Sequence, residues 1–148
     1  MREKDYPSYP IVQIGGIDAA GAEKLRAMRI RTTARLLEAA KSPKGRKLLA
    51  RRTGISASLL LRWANKADLM RVKGIGDDYT TLLQAVGVGT IRKLRAEKPA
   101  QLAKRMAKIN ETKEKGIVVA RIVRVVPSER SVERWVTRAR EMPLRITY

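Results

Sequence analysis

The chain has 148 residues, with 33 Lys and Arg against 14 Asp and Glu, a net charge of +19 and a pI near 11.1. It contains no cysteine and no histidine, which excludes a disulfide framework and thiolate or imidazole metal sites and removes the commonest catalytic bases and nucleophiles. Aromatic residues make up 4% and Phe is absent, so the core is aliphatic, a composition that suits helices.

Residues 1–11 combine alternating charges with Pro7 and Pro10 and read as an extended N-terminal arm. Its Tyr6 and Tyr9 are placed either to stack on a base or to pack on the first helix. Asp18 caps a helix running to about Met28, with Ala22, Leu25 and Met28 on one face. Thr32 or Thr33 opens the next, through Ala40. Ser42, followed by Pro43 at the first helical position, opens a third through about Arg52. Gly54 ends it, and Ser56 caps a fourth, SASLLLRWANK. Asp68 then begins a short turn leading into Gly74-Ile75-Gly76.

That glycine turn precedes an apolar stripe of Leu82, Leu83 and Val86 at helical spacing. Gly87 fits the helix end and Thr90 the cap of the next helix. Pro99 opens the longest helical pattern, PAQLAKRMAKINETKEK, which Gly116 breaks. Residues 117–126 are β-branched and precede Pro127, which predicts a short extended segment. Ser128 caps a last helix with Val132, Trp135 and Val136 inward, and Pro143 ends it.

A shift of 58 positions lays Gly16, Ile17, Leu25, Ala27, Thr32 and Leu36 on Gly74, Ile75, Leu83, Ala85, Thr90 and Leu94 without a gap. Ile14, Met28 and Ile30 fall on Val72, Val86 and Val88, an internal duplication. The expected fold is therefore all-α: a tandem, duplicated helix-hairpin-helix domain of about eight short helices, with an extended segment near 117–126. Residues 1–11 form the arm, 12–71 the first half and 72–148 the second.

A glycine turn that opens a helix presents free backbone N–H groups on which a phosphate can sit. Gly15 and Gly16 form one such turn, and Gly74 and Gly76 the other. Asp77 and Asp78 follow Gly76 directly, however, and Asp18 stands where the first turn would carry its second glycine. A carboxylate satisfies the same N–H groups and repels a phosphate. A better phosphate candidate is Gly87, Gly89 and Thr90, followed by Arg92, Lys93 and Arg95 without an adjacent acid. Its repeat-related counterpart carries Arg31 and Arg35. Lys44, Lys47 and Arg51 recur at helical spacing with Arg46 and Arg52 beside them, a second basic face.

Residues 49–63 have helix-turn-helix spacing, but Ser58, Leu61, Arg62 and Asn65 are thin for reading bases, and two packed helices explain the run as well. Trp63 and Trp135 sit in apolar stripes, where core packing is the default. Asp77 with Asp78, or Glu111 with Glu114, lack the further carboxylates a metal site needs, so no metal and no cofactor is expected.

The TGIS…LLRWANKADLMRVKGIGDDYTTLLQAVGV run and the closing VPSERSVERWVTRARE resemble a prokaryotic domain-of-unknown-function family built from duplicated helix-hairpin-helix units, over about residues 11–141. The resemblance implies an all-α fold of two pseudo-symmetric halves and no particular activity. The acidic pair after Gly76 is similar across that family. This chain departs in its far higher basicity and in an apparent insertion around residues 116–120.

The basic excess is spread along the chain, with 17 basic and 6 acidic residues in the first 74 and 16 and 8 in the rest. A domain this basic repels itself and calls for a polyanionic partner. The expectation is a non-enzymatic, sequence-tolerant nucleic-acid-binding protein, duplex DNA favoured, gripping phosphates through residues 44–52, 87–95 and 104–108. The alternatives are an RNA- or ribosome-associated protein, and a small protein-docking subunit of a larger assembly. No small-molecule substrate is expected. No apolar run approaches the ~20 residues of a membrane span, and the N-terminus lacks a signal-peptide core. These features predict no membrane association and a cytoplasmic, nucleoid- or ribosome-associated location.

Overall fold

The computed structural model describes residues 6–148, which form eight α-helices and one β-hairpin. Local side-chain chemistry sets most helix starts. Asp18 accepts the Gly21 N–H at 2.7 Å to open α1 (Ala19–Ala27), and Thr32 accepts that of Arg35 at 3.2 Å for α2 (Thr33–Ala40). Ser42 takes Gly45 N–H at 3.1 Å for α3 (Pro43–Thr53), and Ser56 takes Leu59 N–H at 3.2 Å for α4 (Ala57–Leu69). Gly76 precedes α5 (Asp77–Ala85), Thr90 caps α6 (Ile91–Arg95) and Pro99 opens α7 (Pro99–Ile109). Ser128 caps α8 (Glu129–Glu141) through the Ser131 N–H at 3.1 Å. Each such cap satisfies one of the helix's orphan donors.

Two expected boundaries move. Helix α4 runs on to Leu69 rather than turning at Asp68, because the Asp68 side chain faces inward to a buried ion pair with Arg71 at 2.8 Å. Helix α7 stops at Ile109 instead of continuing through NETKEK. Asn110 is buried, and its side chain accepts the Val123 N–H at 2.8 Å and donates to the Val123 carbonyl at 3.1 Å. That cross-link turns the chain out of the helix. Strand β1 (Glu111–Glu114) then pairs antiparallel with β2 (Ile117–Arg121). Lys115 and Gly116, at φ of 52° and 81°, supply the two left-handed residues of a tight hairpin turn. The extended reading near 117–126 therefore holds for β2, and its partner strand comes from residues read as helix.

The buried apolar residues form two clusters. One holds Ile11, Ile14, Leu25, Leu36, Leu37 and Leu60, under α1–α4; the other holds Ile75, Leu82, Leu83, Leu94, Leu102 and Val136, under α5–α8. Gly16 and Gly74, at φ of 95° and 94°, each sit against a tryptophan indole, Trp63 of α4 and Trp135 of α8. Both tryptophans are 3% exposed, so packing is their role in each core.

The ends of the chain cross over. Tyr6 is buried in the second cluster, whereas Ile146 from the C-terminal tail is buried in the first. The expected arm is therefore no free arm from Tyr6 onward; its residues 1–5 lie outside the described residues. Tyr9 and Thr33 exchange hydrogen bonds, the Thr33 N–H donating to the Tyr9 carbonyl at 2.8 Å and the Tyr9 N–H to the Thr33 hydroxyl at 3.1 Å. At the other end, Thr147 N–H donates to the Lys41 carbonyl at 2.8 Å and Arg145 pairs with Glu38 at 2.7 Å. No helix among the described residues is long and apolar enough to cross a membrane.

Gly45 permits α3 to approach the end of α2: a Cβ there would collide with the Ala39 carbonyl. We expect Gly45→Ala to cost about 1–3 kcal/mol through forced backbone displacement, read as a lower urea midpoint with an unchanged m-value. The C-terminal strap has a pH signature. The Lys41 hydrogen bond holds the Glu38 carboxyl below its ordinary value, the charges of Lys41 and Arg145 add to this, and desolvation opposes it. A carboxyl lowered on folding stabilises the fold above its ordinary range and loses that contribution as pH falls through its lowered value. Thermal melts between neutral and acid pH should therefore show a smaller acid-induced fall for Glu38→Gln than for the unchanged protein.

Candidate nucleic-acid interface

From residue 39 to residue 67 the chain holds eight Lys and Arg and no acid. Helix α3 turns half of that charge outward. Lys44, Lys47, Arg51 and Arg52 are exposed, and none is within ion-pair distance of a described carboxylate. Positions 44, 47 and 51 lie on one stripe of the helix.

Arg46 does not belong to that face. It is 5% exposed, and its guanidinium donates to the Ala40 carbonyl at 2.8 Å and the Thr147 carbonyl at 2.7 Å. Burial lowers its pKa, with the nearby Tyr148 acting the opposite way. Its work is to cap the end of α2 and hold the C-terminal tail, so it drops out of the phosphate-binding set. Nothing in residues 44–52 announces this, because the tail that buries Arg46 is a hundred residues away.

Arg31 and Arg35 are exposed at the start of α2, which packs on α3, so they extend the same helical layer. The positions 58 residues on, Gly89 and Lys93, lie around α6, which packs on α8. Gly87 has φ of 82°, and Arg29 takes the same left-handed conformation at φ 63° without being glycine. Thr90 accepts the Lys93 N–H at 3.1 Å, as Thr32 does that of Arg35. Gly89 is half-buried against Gln84. Arg92 and Lys93 are exposed. Arg95 is half-buried and donates to the Arg140 carbonyl at 3.0 Å, while Arg140 donates to the Arg95 carbonyl at 3.0 Å. The two guanidiniums cap each other's helix. Nearby, Lys104 and Lys108 are exposed, whereas Arg105 pairs with Glu97 at 2.8 Å.

In the helix-turn-helix-like stretch, Ser58 and Arg62 are exposed and Leu61 is half-buried. Asn65 accepts a hydrogen bond from the Tyr148 hydroxyl at 3.2 Å. The α4 side of that pair carries seven buried residues, so it serves chiefly as packing.

The two glycine turns differ in what they hold. The Gly15 N–H donates to Asp77 Oδ1 at 2.8 Å, and the Lys66 ammonium reaches the same oxygen at 2.9 Å. The first turn therefore already carries an anion, supplied from the start of α5. Asp77 points across to the first turn and away from its own. The residues 58 positions before Asp77 and Asp78 are Ala19 and Ala20.

Beside Gly74 lies a cleft of about 890 Å³ that the sequence did not announce. Tyr6, Tyr79 and Trp135 line it with Lys73, Arg134 and Arg138, and no described carboxylate is among its lining residues. The Tyr79 and Trp135 rings are 5.1 Å apart, and the Tyr79 hydroxyl donates to the Val125 carbonyl at 3.0 Å. Arg71 and Arg138 stack on Tyr6, at 4.3 and 5.1 Å from the ring centre. The only sequence signal was Arg134 and Arg138 four apart around Trp135, which a solvated helix face explains equally. Among the described residues no group of three or more Asp and Glu is arranged to hold a metal ion.

Asp77→Ala removes the acceptor of the Gly15 N–H and the nearer, charged one of the two acceptors of the nearly buried Lys66 ammonium. It should destabilise by about 1–3 kcal/mol, whereas Asp78→Ala, at an exposed position, should stay within about 0.5 kcal/mol; urea denaturation of both variants checks the contrast.

No curated protein and no solved structure matches the chain. A family profile described as a domain of unknown function, DUF4332, matches residues 15–142. That span takes in all eight helices, both glycine turns and the hairpin, and the chain belongs to the DUF4332 family.

Proposed function

We propose that this protein is a non-enzymatic, sequence-tolerant nucleic-acid-binding protein, with duplex DNA as its favoured partner, acting in the cytoplasm on the nucleoid. The observation that carries the reading is the α3 stripe of Lys44, Lys47 and Arg51 with Arg52 beside it, exposed and unopposed within a 29-residue stretch that contains no acid. A set of cations spaced along one helix suits the regular phosphates of a backbone, and it carries no base-reading groups that would impose sequence preference. Arg31, Arg35, Arg92 and Lys93 extend the charge over both parts of the chain. The short α6 makes its terminus a weak anion site, so charge rather than helix geometry does the attracting there.

We read the two parts as copies of one helix-hairpin-helix unit. Support comes from matched backbone details at the 58-residue shift: Gly16 with Gly74, Arg29 with Gly87, and Thr32 with Thr90. The Ile30 N–H donates to the Leu25 carbonyl at 2.9 Å and the Val88 N–H to that of Leu83 at 2.8 Å. In this reading the β-hairpin is an insertion in the second copy. The first turn, holding Asp77, does not grip phosphate, so the exposed cations carry the interaction. Asp77 also no longer argues for a docking partner, because its carboxylate is engaged within the chain.

The test is titration of a fluorescent ~30-base-pair duplex and a structured RNA of equal length across salt. If six to eight phosphates are neutralised, log Kd against log salt should have a slope of roughly 5 to 7. Combining Lys44→Ala, Lys47→Ala and Arg51→Ala should lower the slope by about 3, and Arg46→Lys should leave it unchanged. Preference for the RNA transfers the reading to a ribosome- or RNA-associated protein. Negligible binding to both at near-physiological salt defeats it.

A further inference from the structure

The cleft beside Gly74 has a chemistry that backbone neutralisation does not use. Three of the six aromatic residues in the entire chain line it, Tyr6, Tyr79 and Trp135. In a protein with so few rings, that concentration sets one place apart. Its volume of about 890 Å³ is of the size that encloses a small organic ligand. Its charged lining is wholly cationic among the described residues. An apolar, ring-lined floor under a cationic rim matches a ligand with a planar apolar part and an anionic part.

The first glycine turn supplies an internal comparison. There, the backbone N–H of Gly15 and the ammonium of Lys66 converge on one carboxylate oxygen, at 2.8 and 2.9 Å. The position 58 residues on from Gly15 is Lys73, which lines the cleft, and Ala19 and Ala20 offer it no carboxylate in return. The first turn is thus neutralised by Asp77, whereas no described carboxylate lies within ion-pair distance of Lys73 or Arg134. Asp78 is exposed and borders a neighbouring depression rather than this cleft.

We propose that this cleft binds one unpaired nucleotide, its base on the Tyr79 ring, which Trp135 backs from the core, and its phosphate between Lys73 and Arg134. Tyr79 is half-buried, so part of its ring remains available, while the faces of Tyr6 are taken by Arg71 and Arg138. Tyr6 and the two arginines stacked on it form the wall. Arg134 hydrogen-bonds the Ser131 hydroxyl at 3.2 Å, which holds its guanidinium at the rim. Lys73 is exposed and adds the second charge. A stacked base contributes about 1–3 kcal/mol and tolerates any base identity, because every base has a π-face. The site does not depend on the α3 stripe and stands or falls apart from duplex binding.

The experiment uses the full chain, with adenosine monophosphate, a single-stranded adenine pentanucleotide and inorganic phosphate as probes. Binding is followed by calorimetry and by the two tryptophan indole N–H signals in proton–nitrogen correlation spectra. Both nucleotide probes should saturate and should move one indole signal, that of Trp135, leaving Trp63 in place. Combining Lys73→Gln with Arg134→Gln, both at exposed positions, should weaken both probes by about tenfold or more. The α3 triple variant should leave mononucleotide affinity within about threefold, since that stripe makes no contact with the ligand. Equal affinity for the two nucleotide probes identifies a free nucleotide as the ligand; much tighter pentanucleotide binding identifies a strand end. The proposal is overturned if neither nucleotide saturates at millimolar concentration, if inorganic phosphate competes as well as the mononucleotide, or if the cleft variant binds unchanged. Loss of duplex binding in the α3 variant, with the mononucleotide result intact, separates the two proposals.

Discussion

One carboxylate oxygen joins three parts of this molecule. Asp77 Oδ1 accepts from the Gly15 backbone and from the Lys66 ammonium, at 2.8 and 2.9 Å, and so links the first glycine turn, helix α4 and the start of α5. Lys66 is 9% exposed along its side chain, and an ammonium that far from water needs an acceptor. Thr81, one turn further along α5, offers it a second one at 3.3 Å. The two apolar clusters meet at this seam, next to the buried residues Leu69 and Met70. The same carboxylate thus serves the first turn and neutralises a cation of α4 from the start of α5.

A chain with a net charge of +19 opposes its own compaction, and the few acids are placed accordingly. Asp68 neutralises the buried Arg71, Asp77 neutralises Lys66, and Glu38 ties down Lys41 and Arg145. Glu97 pairs with Arg105 beside the end of α6. Some arginines use carbonyls instead: the buried Arg46 at the end of α2, and the half-buried Arg95 and exposed Arg140 at each other's helix ends. A carbonyl at a helix C-terminus is an orphan acceptor with partial negative charge, so this arrangement satisfies the helix and the guanidinium together without an acid. These four acids serve the interior and the seams. On α3, by contrast, Lys44, Lys47, Arg51 and Arg52 are exposed with no described carboxylate within ion-pair distance.

The crossing of the termini adds a constraint of a different kind. Tyr6 packs in the second cluster and Ile146 in the first, so each part is completed by the far end of the chain. Sixty-residue units bury a modest fraction of their surface and are marginal alone; contributions from both ends enlarge each core. The same crossing builds the cleft, since Tyr6 arrives from one end of the chain and Trp135 and Arg134 from near the other.

The residues alone were enough to locate the helices, because helix starts and stops are local chemistry. Asp18, Thr32, Ser42, Ser56, Thr90 and Ser128 each accept the N–H three residues on, whatever packs around them. The 58-residue recurrence and the basic excess were equally legible. Through-space contacts were not. NETKEK has helical character, yet Asn110 bonding to Val123 diverts it into a strand. Arg46 sits in a run of exposed-seeming cations, yet the tail at Thr147 buries it. Asp77 reads as a guard on its own turn and serves the other one. The lining of the cleft is drawn from positions 6 to 138, a set no periodicity connects. Sequence decides what lies within one hydrogen bond along the backbone; only the tertiary structure decides which distant side chain reaches a donor first, because that depends on how the helices meet.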